Sequence, residues 1–201
     1  MQIHEILGIA SGILAFATII PYVWDIVGGI TKPNTVTYFV WTLLQSIALT
    51  AQIKVGASWS LYLLIGITIN CGICFLFSLS KKYGYKEYGT VDTIALILAG
   101  ISIAVLIFTD HPVLAILIPI VGDAIGAIPT LVKTRKYPHT EQRLAWFMMV
   151  LASALGVMAT EKLDFANLAY PIFLLFESLI IFGLAFFTKR TLICRWGRGC
   201  V

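Results

Sequence analysis

In this chain of 201 residues, 59% are apolar and only 12% charged, whereas about a quarter of the residues in a soluble domain carry charge. That balance excludes a water-soluble enzyme and a nucleic-acid-binding domain; the net charge of +4 sits in short connections and the C-terminal tail, where it suits anionic lipid headgroups. The apolar residues fall into blocks close to the ~20 residues a helix needs to cross ~30 Å of hydrocarbon, and their unbroken runs lack the alternation of an outer-membrane barrel.

Seven spans are predicted, and an all-α membrane protein with them. The first, Ile6 to Val27, has no basic segment ahead of it and is read as a retained span rather than a signal peptide. Pro21 late in it marks a hinge, and Asp25 beyond the proline is read as a cap or gate residue paired with Lys32. In the second span, Thr35 to Ile53, Trp41, Gln45 and Gln52 fall on one helical stripe, a polar lining. Trp41 itself reads as an interfacial belt residue or as an inner gate. The third, Trp59 to Leu79, carries Asn70 at its centre, with Cys71 and Cys74 read as small helix residues. The fourth, Val91 to Thr109, has nothing more polar than serine or threonine between Asp92 and Asp110 and reads as a connector.

The fifth span, Pro112 to Leu131, places Asp123 between Pro119 and Pro129, beside Gly122 and Gly126. Two prolines free backbone carbonyls, so a broken, wettable helix is expected, with Asp123, Gly126 and Thr130 on one face. The sixth, Arg143 to Thr160, opens with Trp146, the counterpart of Trp41, and continues with a drier face at Val150 and Ser153. The seventh, Phe165 to Phe187, has Glu177 at its centre. Beyond it, residues 189–201 form a basic tail in which Cys194 and Cys200 stay reduced and open to acylation.

The chain echoes itself. Pro33 to Trp41, PNTVTYFVW, returns 105 residues later as PHTEQRLAW, Pro138 to Trp146. Two three-span units follow, residues 1–80 and 112–188, and the single span 91–109 between them restores orientation, making the units parallel repeats. Asn70 and Glu177 lie 29 and 31 residues after the paired tryptophans and become equivalents, while the equivalent of Asp123 in the first unit is Ala15. Of the basic residues, twelve fall on the side that bears the C-terminus and two, Lys54 and Lys162, on the other, which predicts an outside N-terminus and a cytoplasmic C-terminus in a plasma or inner membrane. Polar groups at depth are costly in lipid, so Asn70, Asp123, Glu177 and Gln45 are the candidate solute contacts. Pro21, Pro119, Pro129, Trp41, Trp146 and Asp25 are the candidate hinges and gates.

This three-one-three order, with a proline late in the first span of each unit and a proline-containing turn after it, resembles the SWEET and PQ-loop superfamily of small-solute transporters from Ile6 to Phe187. The Pro-Gln signature is replaced here by Pro21-Tyr22 and Pro129-Thr130. The resemblance implies alternating access around a midplane pocket between the repeats, a sugar-like solute, and a mid-depth asparagine in each unit. Asn70 matches that pattern; Glu177 departs from it, and a carboxyl group that exchanges a proton opens the way to proton or cation coupling. A seven-helix ligand-binding receptor, and vitamin, nucleoside or amino-acid carriers of the same arrangement, are the alternatives. An enzyme is not expected. Asp123 follows Ile120-Val121-Gly122 rather than the Gly-x-Gly of an intramembrane aspartyl protease, and His4, His111 and His139 sit at ends or in loops, so neither a metal nor a cofactor is implied. One chain holds both repeats and needs no second copy to form a pocket, although an oligomer is compatible with the sequence.

Overall fold

A computed structural model describes residues 2–187 apart from 32, 34, 58, 85–88, 110, 137, 139 and 140. Lys32, His139, Cys194, Cys200 and the basic tail therefore lie outside the described residues. Within them the chain is all-helical: α1 (Ile3–Ala17), α2 (Ile19–Val27), α3 (Thr35–Lys54), α4 (Leu61–Ser78), α5 (Thr90–Phe108), α6 (Pro112–Lys136), α7 (Arg143–Met158) and α8 (Phe165–Phe187). Five stretches are long and apolar enough to cross a membrane: Ile3–Val27, Thr35–Lys54, Leu61–Ser78, Val113–Val132 and Phe165–Phe187. Leu96–Phe108 and Arg143–Met158 are shorter apolar helices. The protein is an integral membrane protein, in which helices keep every backbone bond within the segment.

The two proline-bearing stretches behave differently. The first is broken at Thr18, one turn before Pro21, because Pro21 has no N–H for the carbonyl of Ala17 and its ring presses on that carbonyl. The first span, read as a single helix with a hinge at Pro21, is thus two helices that meet at Thr18. In α6 the expected break is absent: the helix runs continuously from Pro112 to Lys136 through Pro119 and Pro129. There, α3, α5 and α8 flank the helix and hold its course, so the prolines cost hydrogen bonds without ending it.

The helices close into a ring. α1 packs on α4, α4 on α3, α3 on α6, α6 on α8, α8 on α7 and α7 back on α1, with α5 outside against α6 and α3. Close approach is made by glycines. A Cβ on Gly12 would sit 2.6 Å from the carbonyl oxygen of Tyr62, one on Gly8 would collide with the carbonyl of Trp59, and one on Gly66 with that of Gly12, so α1 and α4 meet backbone to backbone. Between α3 and α6, a Cβ on Gly122 would meet Leu44 at 3.1 Å and one on Gly126 would meet Trp41 Nε1 at 2.9 Å. The α1–α7 seam is fastened by Ser11, whose hydroxyl donates to the Ala152 carbonyl at 2.6 Å. Asp164 starts α8: its carboxylate accepts from the Asn167 backbone N–H at 2.9 Å and side-chain amide at 2.8 Å, and these bonds hold the Asp164 carboxyl below its usual range.

Two glycine substitutions separate close packing from general disturbance. Gly12→Val is expected to lower thermal stability in detergent by about 1–3 kcal/mol, the usual cost of overpacking. Gly183→Ala in α8, where an added Cβ meets nothing within 4 Å, should leave it unchanged. Equal losses in both variants would contradict the α1–α4 contact.

Candidate functional site

The ring encloses a cavity of about 70 Å³ open to water centres, room for on the order of five waters. Every helix of the ring except α1 contributes, together with Thr18 and Tyr22 at the α1–α2 break. Asn70, Asp123, Glu177 and Gln45 all line it, and so do Trp41 and Trp146. Four polar residues singled out by depth alone, on four different helices, thus meet in one place.

Asn70 does not wait for a ligand. Its amide nitrogen donates to the carbonyl of Ala15 at 3.3 Å and to the hydroxyl of Thr18, and its carbonyl oxygen lies 3.6 Å from the Cys74 sulfur, which donates to it. The Thr18 hydroxyl donates to the same Ala15 carbonyl at 2.8 Å. Asn70 is therefore a staple beside the break in the first span, tying α4 to the last turn of α1 and to Thr18. Across the cavity the sequence equivalents meet as well: where Asn70 touches Ala15, Glu177 interacts with Asp123.

Asp123 is 1% exposed and is held from α8 by Tyr170, whose hydroxyl donates to Oδ2 at 2.9 Å. Gln45 on α3 interacts with the same carboxyl group. Glu177 has no such holder: its Oε1 is buried without a hydrogen-bond partner, and so is Gln45 Oε1. A buried acceptor left unpaired costs roughly 1–3 kcal/mol, more when charged, so these two oxygens are the places where the cavity asks for a donor.

The aromatic side of the cavity comes from Tyr22, Tyr38, Trp41 and Trp146. Tyr38 packs edge-on against Trp41 at 5.5 Å between ring centres, and Tyr22 lies 6.0 Å from Tyr38. Trp146 Nε1 donates to Glu141 at 3.2 Å, while Trp41 Nε1 is unpaired and abuts Gly126. Trp41 is 7% exposed, so the belt reading fails for it: its ring faces the interior of the bundle.

Other expectations shift. Gln52 shares the stripe of Gln45 but does not line the cavity; two turns farther along α3, its amide reaches the Ala166 carbonyl at 3.5 Å instead. Gly126 and Thr130 do not line it either, and the Gly126 notch is filled by the Trp41 indole. Pro21 is half-buried in α2 and Pro119 is buried in α6, and neither lines the cavity; the side chain of Pro129 lies outside the described residues. Asp25 lies away from the cavity, and its carboxylate accepts from Gln142 at the head of α7 at 3.1 Å. Sequence reading misses Thr18, Tyr22, Tyr38, Cys71, Ser178 and the Asp123 partner Tyr170. Tyr38 carries a signal, because Tyr38, Trp41 and Gln45 continue one helical stripe at spacings of three and four. Tyr170 carries none, lying 47 positions from the acid it holds.

Fold and site together define an all-helical integral membrane protein with a buried, acid-containing cavity. Comparison with protein-family models, with curated proteins and with solved structures finds no match.

The staple has a measurable signature. Asn70→Ala and Thr18→Val should each lower stability, and the double variant should lose less than the two together by about 1 kcal/mol, as measured by a double-mutant cycle in detergent. Strictly additive losses would show that the Asn70 amide does not hold the break.

Proposed function

We propose that the chain is a seven-span transporter for a small polar solute, with two parallel three-helix repeats, an outside N-terminus and a cytoplasmic C-terminus, working by alternating access. The observation that carries the reading is the convergence of Asn70, Gln45, Asp123 and Glu177 on one enclosed cavity, with Glu177 Oε1 unpaired in it. An unpaired carboxyl oxygen in a membrane interior is costly and serves no packing purpose, which is why such groups mark solute or ion paths.

The repeat reading draws support from the ring of helices. Exchanging α1 with α6, α3 with α7 and α4 with α8 reproduces the same list of neighbours. Hydrogen bonds follow the same exchange: Thr35 at the head of α3 donates to the Ser78 carbonyl in α4, and Arg143 at the head of α7 donates to the Ala185 carbonyl in α8, each at 2.9 Å. The third helix of each unit therefore sits between its first two, and the units meet along α1–α7 and α3–α6.

Both ends of that seam carry contacts that alternating access would have to break in turn. At one end Asp25 accepts from Gln142. At the other, Trp59 donates to Glu161 at 3.0 Å and His4 lies 3.2 Å from the Met158 carbonyl oxygen. In this conformation contacts stand at both ends. The flexible point is the Thr18 turn, where α1 gives way to α2, and α2 swings from it as the cytoplasmic gate.

Uptake into proteoliposomes tests the reading. From a panel of radiolabelled sugars, nucleosides, amino acids and amines, at least one should be carried saturably, and Glu177→Gln and Asp123→Asn should each change its rate or pH dependence at least about tenfold, as expected for groups made to act on charge at depth. A panel with no carried solute would exclude transport, and variants indistinguishable from the parent chain would remove the acids from the mechanism.

A further inference from the structure

Several of the donors that reach the cavity are already used within the protein. Asn70 donates to Ala15 and Thr18, Thr18 to Ala15, Ser178 to the Leu174 carbonyl at 2.7 Å, and Trp146 to Glu141. Trp41 Nε1 lies against Gly126, the Gln45 amide interacts with Asp123, and Tyr22, Tyr38 and Cys71 also line the cavity. Two acceptors, Glu177 Oε1 and Gln45 Oε1, are buried and without a partner, with the Asp123 carboxyl beside them.

Charge is one-sided. Two carboxyl groups from α6 and α8 face the cavity closely enough to interact, and no lysine, arginine or histidine among the described residues lines it. Aromatic rings form the other wall. A neutral sugar would bring no charge to answer the two acids, and an anion would meet them with no counter-charge. A cation brings donors or positive C–H surface only, which carboxylates and ring faces both attract.

We propose that the solute is a small organic cation, a primary or methylated ammonium ion, with its charge on Glu177 and Asp123 and its carbon substituents against Tyr22, Tyr38, Trp41 and Trp146. This rests on the transporter reading for its movement across the membrane but not for its binding. Size agrees: room for on the order of five waters takes an ion of roughly five to seven heavy atoms. The aromatic wall also favours an organic over an inorganic cation, since a bare metal ion replaces its water with about six or more oxygens and the cavity offers fewer. In this assignment the second half of the bundle supplies the charge and the first half most of the ring surface.

The test uses the full chain in detergent and reads binding, not flux. Tetramethylammonium and choline are titrated at constant ionic strength by calorimetry, against sodium and against the neutral isostere of choline in which carbon replaces nitrogen. The ammonium ions should bind saturably and the carbon isostere at least about tenfold more weakly, the difference being the charge alone. Glu177→Gln, which keeps the shape and removes the charge, should weaken ammonium binding at least about thirtyfold. If that variant fails to fold, the isostere comparison on the parent chain decides by itself. Equal binding of the carbon isostere, saturation by sodium alone, or no binding of either ammonium ion would overturn the proposal. Carriage of a neutral solute without ammonium binding would overturn it and leave the transporter standing; ammonium binding without uptake would do the reverse.

Discussion

The centre of this bundle lies among apolar helices, so each polar group there needs a partner from another part of the protein or from whatever fills the cavity. The Asn70 amide on the Ala15 carbonyl is the contact on which the rest depends. The first span breaks at Thr18, ahead of Pro21, and Asn70 ties the end of α1 to the neighbouring helix there, with Thr18 completing the bond set. Past it, Tyr22, one residue beyond the proline, reaches the cavity wall. Remove the staple and the wall loses its corner. Glycine packing of α1 on α4 makes the staple reachable, since it brings the two backbones into contact a few turns away.

The proposed second half answers the same geometry with different chemistry. Ala15 and Asn70 have Asp123 and Glu177 at the equivalent places, and each pair interacts within its own half. In the first half the pair is satisfied internally; in the second, Tyr170 holds Asp123 but Glu177 keeps a bare oxygen. In the first half Asn70 is committed to structure, and in the second Glu177 Oε1 is free, the group on which the proposed solute binding rests.

Much of the fold is legible in the amino-acid sequence, for a simple reason. Apolar blocks of membrane length are hard to mistake, and the observed helices begin and end within a few residues of the expected ones. Polar residues in such blocks are rare, so Asn70, Asp123, Glu177 and Gln45 stand out on sequence alone, and the Pro33–Pro138 register pairs Asn70 with Glu177. What stays hidden depends on neighbours distant in the chain. Whether a proline breaks its helix is settled by what flanks it: Pro21 does and Pro119 does not. Gln52 reads like Gln45 on a helical wheel, but two turns place it about 10 Å farther along α3, beyond the cavity. Asp25 accepts from Gln142, 117 positions away, a contact that nothing local announces, while Lys32 lies outside the described residues. Tyrosines inside apolar runs give no sign of which of them hold an acid.

Either this cavity is a solute path, as proposed, or it is a sealed packing defect, and side-chain accessibility decides between the two. Ser178, buried in α8 and lining the cavity one residue from Glu177, is the reporter. With the four native cysteines replaced by alanine, Ser178→Cys in membrane vesicles would be exposed to a membrane-impermeant, positively charged thiol reagent from either face. A solute path predicts modification from both faces, slowed by choline. No modification from either face, while a cysteine in an exposed connection reacts, would contradict it.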